Sequence, residues 1–355
     1  MTAPAIATTT WPLGLWISPA VDPASAKAEV ADSVTGRRFR WSPDALAGYI
    51  LRDDHDTWLR DIAASADRGP LAPGWRHWKE REWHPSDQYY VASRRWHYVD
   101  IDDIDGAVRS DAVRGFLEKD GPPAAEVLPD GPRVALGSPQ PPPATESLAR
   151  LLVSRRSGRA YVPRSVALDR LSGLLWHGLA HVRARRERID DARPLSYLDS
   201  FGTAWDFYLC VYDVEGVEPG AYRYDLRAHE LIGIRPGRHR AAMMDILQGM
   251  RSPMTAAWTL GLVADFPRYQ WRYRHEHGLR RLYLESGIIG QELIILGGAY
   301  GLSSLVTPAQ KDTPYLSLHG LPNDRYAPVY TLTMGLTRAG GGIDFADDPA
   351  GPRGE

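Results

Sequence analysis

The sequence predicts an α+β domain organised around one buried helix, preceded by a smaller tryptophan-rich domain. Three observations carry this reading. A nearly all-round apolar stretch runs from Leu282 to Tyr300, β-prone runs alternate with helical ones between 205 and 335, and eight prolines break the chain between Gly121 and Pro143.

The 355 residues are 43% hydrophobic and 24% charged, enough to bury a full core and to fill two domains. Forty-two basic residues against 44 acidic ones give a net charge of −2, so no overall field calls for nucleic acid or anionic lipid. Cys210 is the only cysteine, which excludes an intrachain disulfide and a cysteine-built metal site within one chain. A reducing cytoplasm fits that usage. The N-terminal stretch has no basic region followed by a long apolar run, so no secretion signal is expected, and no segment suits a membrane span.

Eight of the twelve tryptophans lie in the first hundred residues, too many large aromatics for a disordered tail. Residues 1–120 are therefore expected to fold as a small helical or winged-helix-like domain, with a strand at FRW followed by a helix capped by Ser42. Its mixed basic and aromatic segments suit peptide binding or plain domain packing. The segment 121–143 is too rich in proline for a helix or an inner strand and reads as a linker.

The second domain, 144–340, opens on Thr145 as a helix cap, then a short helix through ESLARLLVSRRSGR. A second amphipathic helix is expected over 167–182. Strands follow at 205–214, 221–225, 256–265, 302–307 and 327–335, with helices near 238–250 and 279–300. The last fifteen residues, 341–355, read as a tail. In the central helix, Gly287, Gly290, Gly297 and Gly298 fall within about 100° of arc, so a neighbouring helix, a partner subunit or a flat cofactor must approach that backbone closely. Glu285, Gln291 and Glu292 argue against a membrane span.

Among candidate sites, Ser154-Arg155-Arg156-Ser157-Gly158-Arg159 crowds three guanidiniums and two hydroxyls at a helix end, either as a phosphate cage or as a solvated end offsetting the helix dipole. His177 and His181 stand one turn apart with no third ligand in view, so no metal is expected. Trp271, Arg272 and Tyr273, flanked by Arg268, Arg274, Arg280 and Arg281, read either as a lid over an anionic or flat ligand or as a solvated basic loop. There is no GxSxG elbow, no GxxxxGK loop and no GxGxxG turn.

Taken in order, these pieces resemble the SagB-type dehydrogenases of the nitroreductase superfamily, FMN enzymes that mature ribosomal peptides. The resemblance runs from about 145 to 336. It is carried by Ser154 to Arg159, by Gly220 followed by Tyr222-Arg223-Tyr224-Asp225, by Gln248 in its helix, by Val263 to Phe266, and by Gly278, Arg280, Leu284 to Gly287 and Gln291. It implies a nitroreductase-like mixed sheet flanked by helices, a homodimer joined through long central helices, and FMN at the subunit interface.

In that resemblance Arg155, Arg156, Ser157 and Arg159 hold the FMN phosphate, with Arg338 as a further candidate and Ser196 and Gln248 as cofactor contacts. Tyr273 and Arg272 stand where azoline dehydrogenases carry a Tyr and a Lys. Arginine keeps its proton at any useful pH, so Tyr273 is the candidate acid/base and Arg272 its electrostatic partner. Two departures stand out: YLDSFGTAWD replaces a Gly-Gly stretch after Ser196, and Pro308-Ala309 replaces another Gly-Gly pair. The expected function is dehydrogenation of a peptide residue, azoline to azole in the standard case, in company with other peptide-modifying enzymes. The alternatives are NAD(P)H-driven reduction of a nitro, quinone or dehydroamino-acid compound, and a flavin-free peptide-binding scaffold.

Overall fold

Two runs, Trp205–Val211 (β5) and Trp258–Asp265 (β8), are buried along their whole length, as strands covered on both faces must be. They sit inside a seven-stranded sheet in a computed structural model that describes residues 15–18, 28–32, 38–41, 103, 105–143, 147–189 and 193–336, with four further positions between 86 and 93. The sheet order is β4 (Arg133–Ala135), β7 (Glu230–Pro236), β6 (Gly220–Asp225), β5, β8, β10 (Tyr326–Leu336), β9 (Leu302–Thr307). Every pairing between these strands is antiparallel. The expected mixed sheet is thus corrected: parallel pairing is confined to isolated bridges such as Ser157 with Ser304.

The alternation along β5 sorts the core into two layers. Trp205, Phe207 and Leu209 pack with Leu171, Leu174 and Leu175 of α3 (Leu168–Gly178) and with Leu282, Ile289 and Leu293 of α7 (His277–Ala299). Tyr208 and Cys210 face the opposite way, onto Met243 and Ile246 of α5 (Arg240–Ile246) and Tyr315 and Leu316 of α8 (Asp312–Leu318). Burial pushes the Cys210 thiol up to about 12, so it serves as a small apolar filler.

Several local expectations change. The helix expected over 167–182 is broken at Leu179 into α3 and α4 (Ala180–Arg188), because Gly178 lies against the Leu293 side chain of α7. α2 (Leu148–Ser154) is capped by Ser147, whose hydroxyl accepts from the Arg150 N–H, and it ends before the arginine run. The stretch before the central helix is itself helical, α6 (Phe266–Arg272), because Asp265 caps it and Pro267 occupies its first turn.

By contact the chain divides into Met1–Tyr98 with His275–His277, and Val99–Arg274 with Gly278–Glu355. α1 (Ala107–Asp120) is held there by Phe116, edge-on to Trp271 at 6.0 Å, and by Asp120, paired to Arg274 at 2.6 Å. The prolines of 121–143 flank β4, an edge strand, which is where proline is tolerated. In the first unit, β1 (Leu15–Ser18), β2 (Ala28–Asp32) and β3 (Arg38–Trp41) form an antiparallel sheet, β3 containing the expected FRW strand. The helix expected after Ser42, and the tail 341–355, lie outside the described residues.

The central helix is not buried all round. Gly278, Leu282, Glu285, Ile289, Leu293 and Gly297 face the sheet, whereas Tyr283, Leu284 and Ile288 are 53%, 69% and 48% exposed. Glu285 is the buried exception to the apolar rule, and it accepts from the Gly202 amide, the Trp205 indole and Arg281. Burial raises its pKa, only partly offset by those donors. No helix among the described residues is long and apolar enough to cross a membrane.

Candidate cofactor and active site

The arginine run after α2 is pinned to the sheet edge. Ser157 bridges Ser304 in parallel, and the Gly158 N–H donates to the Ser304 carbonyl at 2.9 Å. Glycine is required at 158 because an added Cβ would stand 3.0 Å from the Ser303 Cβ and closer still to its hydroxyl. Arg155, Arg156, Ser157 and Arg159 are all exposed, and the Arg155 guanidinium has no hydrogen bond or ion pair among the described residues. Arg156 donates to the carbonyls of Val153 and Arg155, which steadies the helix end.

Arg155 acts electrostatically on Tyr330 of β10. Tyr330 in turn lines a cavity of about 470 Å³ between α7, β10 and the loop after β9, a volume within the roughly 300–1,000 Å³ of small-molecule sites. Tyr330 is also what approaches the glycine face, since a Cβ at Gly290 would meet its ring at 2.7 Å; Gly287, one turn earlier, is open toward the cavity. Pro308 forms part of the wall, and the Ala309 N–H is already taken by the Thr307 hydroxyl at 2.9 Å. A backbone donor there is therefore occupied from within the chain.

The other candidates collect elsewhere. Arg272 lines a second cavity of about 330 Å³ that shares no residue with the first. The Tyr273 hydroxyl lies 2.9 Å from Ser200 Oγ, which lines that second cavity, and Arg272 and Arg281 stand over the Tyr273 ring at 5.5 and 5.1 Å. Ser196 sits on the 3-10 turn Pro194–Leu198, beside Tyr197 of the same wall. Gln248 is exposed in a left-handed conformation after α5, a turn whose Ile246 carbonyl accepts from the Lys311 N–H. Arg338 lies outside the described residues.

Two neighbours of Tyr273, Trp271 and Arg268, are tied into the fold rather than free in a lid or a solvated loop. Trp271 is 9% exposed, donates its indole N–H to the Gly121 carbonyl and stacks 5.0 Å from Tyr197. Arg268 is buried against Asp206 at 2.6 Å and Asp265 at 2.9 Å. It belongs to a network that sequence spacing does not reveal: Asp206 also takes Arg223 at 2.6 Å and Arg186 at 3.3 Å, Glu126 pairs with Arg186 and Arg223, and Arg325 reaches Asp265 at 2.8 Å. Burial alone would raise Asp206, but Arg223, Arg268 and Arg186 overcome it and hold its pKa at about 2. His181 pairs with Glu292 at 2.7 Å, and no metal-ligand cluster occurs among the described residues.

The nitroreductase family profile matches residues 152–336, just over half of the chain, beginning at the arginine run and ending with β10. The chain belongs to the nitroreductase family. Members of that family are flavin oxidoreductases and commonly bind FMN. The chain is 24% identical over 300 residues to the trifolitoxin operon protein TfxC of Rhizobium leguminosarum bv. trifolii, covering 79% of this chain and 82% of that one. Among solved structures, a nitroreductase-type protein from Anabaena variabilis gives a TM-score of 0.47 at 23% identity, over 62% of this chain and only 44% of that one. The E. coli microcin synthetase McbBCD complex with truncated pro-MccB17 gives 0.40 at 15% identity, over 67% of this chain and 94% of the matched one.

The exposed arginines beside a cavity of suitable size fit FMN. Planar guanidiniums and the Ser157 hydroxyl suit a phosphate, and the apolar wall with its open glycine suits a flat ring.

Proposed function

We propose that this nitroreductase-family oxidoreductase binds FMN and dehydrogenates a residue of a ribosomal peptide. The observation that carries the peptide reading is the extent of the TfxC similarity: its 300 residues exceed the 152–336 match to the family, so the likeness to a toxin-operon protein includes chain outside the shared domain. The first unit is then the natural place to hold the peptide. When bound, FMN supplies the two-electron hydride chemistry.

The chain's own residues do the rest. Arg155, Arg156, Ser157 and Arg159 bind the phosphate at the β9 edge, while Pro308 and Tyr330 exclude water from one side of the cavity. Tyr273 moves a proton at its hydroxyl, in hydrogen-bond contact with Ser200, and Arg272 stabilises negative charge without giving up its own proton. Arg272 and Ser200, the hydrogen-bond partner of Tyr273, line a different cavity from Tyr330, and the exposed apolar face of Leu284 and Ile288 offers a second copy a seat. A homodimer through α7 would bring one chain's tyrosine group to the other's arginines.

Mass spectrometry of candidate precursor peptides incubated with the flavin-loaded protein tests this: a loss of about 2 Da, abolished by Tyr273→Phe, is expected for removal of two hydrogens. No mass change with any candidate, or full turnover by the Phe variant, would remove the peptide or the tyrosine from the reading. The occupied Ala309 amide favours a second reading, in which a ring held differently is reduced by NAD(P)H. Flavin bleaching by NADPH faster than by any peptide would select it.

A further inference from the structure

Positive charge predominates in the wall of the second cavity. Arg186 and Arg268 form its floor, 4% and 9% exposed at the side chain, while Arg227 and Arg272 stand at its edge; among the described residues Glu126 is the one acidic member of its lining. Behind the floor, four guanidiniums, those of Arg186, Arg223, Arg268 and Arg325, face three carboxylates, those of Asp206, Asp265 and Glu126. The cluster is one negative charge short before Arg227 and Arg272 are counted. Neither of those two has an acidic partner for its side chain among the described residues.

Two polar facts bear on that surplus. Among the described residues the buried Arg186 has an Nε without a hydrogen-bond partner, and so has Arg272. Buried N–H groups on a cation are costly to leave unmatched, by more than for neutral groups. The rest of the lining suits an organic acid better than a bare ion: Tyr197 and Trp271 present an aromatic side, and Ser200, with Thr203 beside it, joins the lining to Tyr273.

We propose that this cavity is a carboxylate-binding site, taking an acidic side chain or a chain-terminal carboxylate on a ligand whose remaining part lies along Tyr197 and Trp271. Two or more planar guanidinium forks match the two oxygens of a carboxylate, and the buried carboxylates of Asp206 and Glu126 preorganise the floor. Because Ser200 joins the cavity wall to the Tyr273 hydroxyl, the site would fix the distance between an acidic group and the residue being oxidised. That last step rests on the function proposed above; the binding of a carboxylate does not.

Calorimetric titration of the full-length, flavin-loaded protein with three small organic probes and with inorganic phosphate separates the cases. N-acetylglutamate α-amide carries a side-chain carboxylate, N-acetylglycine a terminal one, and N-acetylglutamine α-amide none. At least one acidic probe should bind, the tighter one naming the source of the carboxylate, and the neutral probe should bind at least tenfold more weakly. Arg227→Gln, at an exposed position, should weaken the acidic probe about tenfold while leaving the flavin spectrum unchanged, and Arg272→Gln should weaken that probe as well. Equal binding of the neutral probe, tighter binding of inorganic phosphate, no binding by either acid, or unchanged affinity in both variants would overturn the site. Loss of flavin with carboxylate binding intact would instead count against the FMN reading alone.

Discussion

Two arginine clusters in this protein carry the same side chain and sit in opposite surroundings. Arg155, Arg156 and Arg159 stand exposed on a loop pinned to β9, with the Arg155 guanidinium unpaired among the described residues. Arg186, Arg223 and Arg268 are buried and matched to Asp206, Asp265 and Glu126. A charge left in water can be lent to a ligand at small cost, whereas a charge taken out of water must find its partner in the fold. The first cluster is thus suited to bind through its exposed side chains, and the second chiefly to fix how β5, β6, β8 and α4 meet, with a surplus charge left at the floor of the second cavity.

The largest effect that would sharpen this contrast is at Asp206. Asp206→Ala leaves three buried guanidiniums without their shared anion and should cost roughly 3–5 kcal/mol, read as a lower midpoint in denaturant unfolding or loss of soluble protein. A midpoint near that of the native protein would break the contrast. At the exposed cluster, Arg155→Ala with Arg159→Ala should abolish flavin content, read from the visible spectrum, while shifting stability by no more than about 0.5 kcal/mol per substitution. Normal flavin in the double variant would remove these residues from the phosphate site.

An intermediate effect comes from pH. His319, held by the Tyr315 carbonyl, and His229, held between Ser172 and Tyr224, have pKa values lowered by burial to about 4. Both folded values lie below the unfolded one of about 6.5, so the unfolded chain takes up more protons as acid is added. Their contribution is complete above about pH 6.5 and is lost as pH falls toward 4, whereas that of Asp206, lowered from 3.8 to about 2, is complete above about pH 4 and is lost as pH falls from there toward 2. Thermal melting followed from pH 7 to pH 4 should fall steadily, and less steeply in His319→Gln. The smallest effect is Ser147→Ala, which removes the α2 cap and should cost about 1 kcal/mol in chemical unfolding.

Much of the site was legible beforehand where a local pattern carried it. The arginine run, the glycine face of α7 and the strands around Phe207, Tyr224 and Leu262 are read from adjacent residues and short periods, and those survive into the fold. Trp271 and Arg268 were misleading for the converse reason. Their neighbours in sequence are basic and aromatic, but the groups that decide their roles, Gly121 and Asp206, lie 150 and 62 positions away.

By itself, the sequence determined the family, the order of the principal strands and helices, and the arginine run proposed for a phosphate, because each rests on propensity or on side chains a few positions apart. Only the tertiary structure decided which arginines stay exposed and which are paired inside, that the sheet is antiparallel, and that one face of the central helix is exposed. Those depend on burial and on distant partners. A guanidinium has the same formula in both places, and its surroundings set what it does.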